Sequence, residues 1–473
     1  MVGRLPGARQ RLARLHRPEH RQRELALRHD PARRRGDLHR HGPADGARQR
    51  LRRLEHPVEG LRRGIRPALS RPAGQDGVVR IAIAYDCLYP WTLGGGERQY
   101  RAFAEELAAR GHTVTYLTRR QWDGAAPDLD GVRVRAVAGR AELYDDAGAR
   151  RLGPALGYAL ALLTHLLRAR HRYDVVLVSA LPATNVPAAR LALALTLSRA
   201  LLVTDWLEVW PRERWRAYSG PVVGRLAWWV QRLAAGLSPV ATCHSALSAR
   251  RLVASGLRST PVVSPGLVFP KDPGDRGAPR LGVPEEAGAV PQVVYVGRHI
   301  PDKHVEALPA ALAHARTRLP DLTAAIYGDG PSRPAVLREI ERSGLSAAVS
   351  APGFVAREVL DAAVRAAAVL VNPSAREGYG LVVDEANAVG TPVVLVDGPD
   401  NAAVERVTEG VNGLVAASTD PVVLGEAIVR AVEGGADLRR SAHERYTEAA
   451  RTGSIAATVD RILAVATGLG APR

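Results

Sequence analysis

Residues 371–396 read VNPSAREGYGLVVDEANAVGTPVVLV, and the punctuation of this stretch decides the fold. An apolar strand closes at 370–372, the proline and glycines of 373–380 cannot prolong it, and helical spacing resumes over 381–389. Gly390 then stops the helix and Pro392 leads into a second apolar strand. This is a βαβ unit suited to holding a ligand. Glu377 falls in the loop and Glu385 just over one turn into the helix, so both carboxylates are expected to face a ligand resting on the helix N-terminus. The unpaired amides around Gly378, Tyr379, Gly380 and Leu381 would attract phosphate there.

Glu377, seven intervening residues and Glu385, set in EGYGLVVDEANAVGTPVV, resemble the E-x7-E element of the family 4 retaining glycosyltransferases. The resemblance runs over roughly 78–465 and implies an α/β protein of GT-B architecture, two doubly wound Rossmann-like domains facing across a cleft. It also implies that Glu385 binds the ribose hydroxyls of a nucleotide-diphosphate sugar, that Glu377 binds the sugar hydroxyls, and that transfer retains the anomeric configuration.

Upstream, VVYVGRHIPDK (293–303) ends a strand at Val296, where Gly297 allows close approach and Arg298 and Lys303 project from the carboxyl end. A planar guanidinium and a mobile ammonium suit a diphosphate. Taken with the E-x7-E element, GR-x4-K resembles the donor-diphosphate pair of the same family. Lys303 is also one of only two lysines among 65 basic residues. IYGDGP (326–331) and APGFV (351–355) are further strand ends that match the family segments around the nucleotide. They offer Gly328 and the backbone of Phe354 and Val355 to the base, or are plain βα turns. No Asp-x-Asp cluster ends a strand to argue for Mn²⁺ or Mg²⁺ dependence, and no cofactor besides the donor substrate is expected.

Residues 78–86, VVRIAIAYD, form the first organised strand, and the glycines after it open a helix whose Tyr100, Phe103, Ala104, Leu107 and Ala108 share one face. Gly95 and Gly96 let backbone approach a ligand, or simply make a tight turn. GGGER followed by LAARGHTV resembles the family opening that borders donor phosphate and acceptor. Strands are expected near 174–179, 201–204 and 239–242. In TDWLEVWPRERWRAY, Leu207 stands where the family often has His, leaving Asp205 and Glu208 as the acceptor-side candidates. Five of the seven tryptophans lie within 206–229 among arginines, either as a lipid-facing or acceptor surface or as a packed core helix with an arginine rim. His244 is expected to be structural.

The domain plan is therefore an Arg-rich disordered tail over 1–77, an acceptor-side Rossmann-like domain over 78–265, a Pro/Gly-rich linker over 266–290, a donor domain over 291–450, and a C-terminal helix over 451–473 that returns to the first domain. Residues 1–79 hold 20 arginines against 8 acidic residues, which is most of the +17 net charge. Three readings of this tail compete: a solvated extension or a start placed too far upstream, an arm for an anionic membrane or acidic partner, and a nucleic-acid arm. No nucleic acid is expected as a partner. With 46% hydrophobic and 24% charged residues, two cysteines and no apolar run of membrane-spanning length, the chain reads as cytoplasmic, with the inner face of the membrane a candidate site of peripheral contact.

The expected partners are a nucleotide-sugar donor and a glycan, lipid-linked or small-molecule acceptor. Rival readings are another GT-B sugar-nucleotide enzyme, epimerase or glucan synthase-like, and a non-catalytic protein that binds sugar nucleotides or membrane surfaces.

Overall fold

The computed structural model describes residues 77–92, 94–144, 150–264 and 292–467. The expected tail, apart from Gly77, and the whole of the expected linker lie outside the described residues, as do 468–473 of the expected final helix.

Short, continuously apolar runs make the strands, as parallel sheets covered on both faces require. Seven belong to the first sheet: β1 (Arg80–Ala84), β2 (Thr113–Arg119), β3 (Val132–Ala138), β4 (Val175–Ser179), β5 (Leu201–Trp206), β6 (Val240–Cys243) and β7 (Val262–Val263). They pair in parallel in the order β3-β2-β1-β4-β5-β6-β7. Six form the second: β8 (Gln292–Val296), β9 (Thr323–Tyr327), β10 (Val349–Gly353), β11 (Val369–Asn372), β13 (Val393–Val396) and β15 (Gly413–Ala416). Their order is β10-β9-β8-β11-β13-β15, again all parallel.

Each sheet grows one way from its first strand and then reverses, between β1 and β4 and between β8 and β11. The crevice beyond the carboxyl ends at such a reversal is where open α/β sheets bind ligands. GT-B architecture, two such α/β units in one chain, is what the molecule shows.

The sequence places Glu377 in a loop, and here the structure differs. Arg376–Glu377 (β12) pairs in parallel with Asp400–Asn401 (β14) as a separate two-stranded ribbon. The partner comes from beyond the next strand, so local composition cannot announce it. The following helix, Leu381–Ala388, starts after Gly380 at φ 87° and stops at Gly390, φ 75°. Both angles lie in the left-handed region that glycine enters without a Cβ penalty.

The helix Ile455–Thr467 packs on the first sheet's helix Gly95–Ala109, where Ile455, Val459 and Ile462 share a core with Phe103 and Leu107. The tryptophan-rich segment divides. Trp206 is core, Trp210 and Trp215 meet at a tilt of 46° with ring centroids 4.7 Å apart, and Trp229 is 56% exposed. No helix among the described residues is long and apolar enough to cross a membrane.

Candidate active site

At the β8/β11 reversal, Lys303 comes from the turn after β8 and Asn372 is the last residue of β11. Both converge on Glu377. Lys303 Nζ stands 2.5 Å from Glu377 Oε1, and Asn372 Nδ2 donates to the same oxygen at 2.9 Å. Burial alone would raise the Glu377 pKa. The Lys303 charge and hydrogen bonds from Lys303, Asn372 and Ser374 outweigh burial and hold the carboxyl below its usual range. Asn372 Oδ1 is buried and accepts nothing from the protein. A buried acceptor left unpaired is costly, so this oxygen invites a donor from a ligand, such as a sugar hydroxyl.

The segment before the Leu381–Ala388 helix is only partly directed at a ligand. The Tyr379 hydroxyl donates to Asp384 Oδ2 at 2.6 Å, its ring lies under the Arg406 guanidinium at 5.2 Å, and Arg406 pairs with Asp384. Glu385 pairs with Arg98 of the first domain. The two glutamates line separate recesses. Glu385 borders one with Val296, Arg357, Leu360, Asp361 and Val382. Glu377 borders one with Glu208, Trp210, Arg251 and Arg376. The first is the more apolar of the two, though Arg357, Asp361 and Glu385 all edge it.

The glycines expected to let the backbone approach a ligand closely stand here against protein atoms. A Cβ on Gly378 would stand 2.5 Å from Glu208 Cγ and 2.7 Å from the Leu207 carbonyl oxygen. One on Gly95 would meet Leu381 Cδ1 at 2.6 Å, and one on Gly96 would meet Leu207 Cδ1 at 2.8 Å. The glycine loops thus let the two domains touch, with Leu207 filling the seam. Gly328, at φ 116°, packs so tightly on Gly297 that a Cβ would lie 1.9 Å from its carbonyl oxygen. Arg298 is exposed at the strand's end, where its carbonyl accepts from Tyr295 Oη at 3.1 Å. The Phe354 ring is 75% exposed, while Val355 beside it is partly buried.

Asp205 is a correction to the acceptor-side candidates, since it is 1% exposed and every direction is occupied. Tyr100 Oη donates to Oδ2 at 2.7 Å, Thr242 Oγ1 to Oδ1 at 2.5 Å, and His244 Nε2 lies 3.1 Å away. Burial pushes its pKa up, but the facing His244 and these hydrogen bonds prevail and hold it below the ordinary value. Its role is to join strand, helix and His244 in the core. Glu208 does reach the seam, accepting from Trp210 Nε1 and from Arg376, each at 2.5 Å.

Several site residues escaped the sequence reading. Arg376 bridges Glu208 and Asp302 under the Trp210 ring, 4.9 Å from its centroid, and Arg214 also pairs with Asp302 at 2.5 Å. Glu97, next to the glycines, is buried and accepts from Tyr85 Oη at 3.3 Å. Burial raises its pKa. Asp86, following β1, is wholly buried and pairs with Arg150. Glu97 sits in the GGGER motif that drew attention to its glycines, so one signal was present. The charges on Arg98, Asp302 and Arg376 find partners only through tertiary contact.

The family model "Glycosyl transferases group 1" matches residues 290–434, and "Glycosyl transferase 4-like domain" matches 94–266. The chain is 28% identical to the alpha-D-kanosaminyltransferase of Streptomyces kanamyceticus over 180 residues, 38% of this chain and 46% of that protein. It is 35% identical to the D-inositol 3-phosphate glycosyltransferase of Geodermatophilus obscurus over 241 residues, 47% of this chain and 51% of that one. The chain thus spans about half the length of these curated relatives. Sucrose-phosphate synthase from Thermosynechococcus elongatus superposes with a TM-score of 0.64 at 18% identity, covering 81% of this chain and 98% of that one. Anabaena HepE, in complex with UDP and glucose, superposes with a TM-score of 0.59 at 19% identity, covering 82% and 98%. Matched in both halves by models of one kind, and folded as its structural neighbours are, the chain belongs to the group 1, family 4-like glycosyltransferases.

Proposed function

We propose that this protein transfers a sugar from a nucleotide-diphosphate sugar to an acceptor hydroxyl, with retention of anomeric configuration and without a metal ion. The observation that carries the reading is Glu377, ionised against Lys303, beside the unpaired Asn372 oxygen at the β8/β11 reversal. A hydroxyl-rich ligand satisfies both oxygens, and Lys303 is close enough to share its charge with a diphosphate.

In this scheme the bond between the anomeric carbon and the diphosphate breaks, the acceptor oxygen takes its place on the same face, and the acceptor proton leaves with the diphosphate. Charge developing on the leaving group is met by Lys303, by Arg298 and by the amides before Leu381. Glu377 orients the sugar and Glu385 the ribose. The nucleoside lies in the recess of Val296 and Val382, and the UDP held by HepE supports a ligand of that class. The acceptor enters from the first domain, where Glu97, beside the glycines, and the Asp86–Arg150 pair are buried polar groups.

Incubation with a panel of nucleotide sugars and sugar acceptors in excess EDTA tests this, with the product anomer read by NMR. The expected result is transfer with retention. An inverted product, or activity lost to EDTA and restored by Mn²⁺, would overturn the corresponding part.

A further inference from the structure

Three helices form the outer layer over one face of the first sheet: Leu152–Arg168, Asn185–Leu195 and Pro221–Leu237, packed side by side. Their inward faces supply Tyr158, Leu162, Ala189 and Ala234 to the cores beneath. Their outward faces should then be polar, and they are not. Leu156 and Leu160 recur one turn apart on the first helix, Leu195 ends the second with Leu197 just beyond it, and Leu226 and Trp229 mark the third, each 56% to 84% exposed. Apolar surface spread over three adjacent helices exceeds the scattered exposure normal for a soluble domain.

Along these three segments the charge has a single sign. Residues 152–173, 180–204 and 215–238 contain eight arginines and neither aspartate nor glutamate. Arg168, Arg190, Arg199 and Arg225 are exposed, and Arg232 lies over the Trp228 and Trp229 rings at 5.2 and 5.8 Å. We propose that this face seats the protein on an anionic lipid surface, the leucines and Trp229 entering the headgroup boundary while the arginines hold lipid phosphates. A second copy docked face to face would set arginine against arginine with no acidic partner from these segments, which like-charge repulsion opposes. The surface is the outside of a helical layer and lies apart from the crevice at the strand ends, so it does not depend on the proposed transfer reaction.

The test is co-sedimentation of the full chain with vesicles of phosphatidylcholine alone or mixed with phosphatidylglycerol, at low and high salt. Two variants are compared, L156Q/L160Q/L226Q/W229Q and R190Q/R199Q/R225Q. The full chain is expected to prefer the anionic vesicles. The apolar variant should lose about tenfold in binding at either salt, and the arginine variant a similar factor at low salt only. The altered side chains are exposed, so melting temperature and nucleoside diphosphate affinity should stay unchanged in both variants. Failure of the full chain to bind, or full binding by the apolar variant, would overturn the proposal, the second result placing any attraction elsewhere in this basic chain. Self-association that the apolar variant abolishes, without vesicle binding, would instead make the face a contact between copies. Absence of nucleoside diphosphate binding in every form would count against the transfer reading and leave the vesicle result standing.

Discussion

Arg98 and Glu385, 287 positions apart in the chain, form one ion pair that joins the glycine-loop helix of the first domain to the Leu381–Ala388 helix of the second. The carboxylate assigned to the ribose is therefore engaged by the opposite domain, and a ligand that uses Glu385 must displace or share Arg98.

A partly exposed pair of this kind is worth about 0–1 kcal/mol. Arg98→Ala should therefore tighten nucleoside diphosphate binding by up to about fivefold through lost competition. Titration calorimetry measures this directly. Weaker binding would make Arg98 itself a ligand contact and refute the competition.

The Lys303–Glu377 pair predicts a division of labour. A hydrogen bond to a charged group contributes about 1.5–3 kcal/mol, so Lys303→Ala should lose about tenfold to a hundredfold in nucleoside diphosphate affinity. Glu377→Gln should leave that affinity nearly unchanged while lowering kcat, because the free nucleotide lacks the sugar. Equal weakening of nucleotide binding by both variants would refute the division.

Acid should act through the same carboxyl. Glu377 is held below the usual carboxylate range of about 4.3, so its stabilising contribution is present above that value and is lost only as pH falls through the lower folded value. Stability curves of the wild type and Glu377→Gln should therefore converge in acid and separate towards neutrality. Parallel curves across the whole range would show that the pair contributes nothing.

Asp205→Asn should destabilise the fold rather than alter acceptor affinity. It disturbs the buried hydrogen bonds that Tyr100, Thr242 and His244 make to the carboxylate, and a hydrogen bond to a charged group is worth about 1.5–3 kcal/mol. Denaturant midpoints and acceptor KM distinguish the two. A stable variant with a raised acceptor KM would return Asp205 to the acceptor site.

Gly378→Ala should separate the domains without unfolding either. Its Cβ meets the Leu207 carbonyl at 2.7 Å, and backbone cannot swing aside as a side-chain end can. The expected outcome is a kcat lowered by about tenfold or more, with the melting temperature nearly kept. Unchanged turnover would mean that contact at this seam does not matter to the reaction.

The sequence by itself determined the two α/β halves, because continuously apolar runs alternating with helical spacing permit little besides covered parallel sheets. It also located the loop, helix and second strand of 371–396 and the turn carrying Lys303, since glycine and proline act on their own neighbours. Pairing was decided elsewhere. The ribbon of Arg376–Glu377 with Asp400–Asn401, the capture of Glu385 by Arg98, and the closing of Asp205 into a buried network all join residues distant in the chain. A carboxylate looks the same in sequence whether it will face a ligand, a cation from the other domain or a core histidine. Only the fold fixes which charge stands opposite and how much water remains between them, and those two quantities set its pKa and its availability.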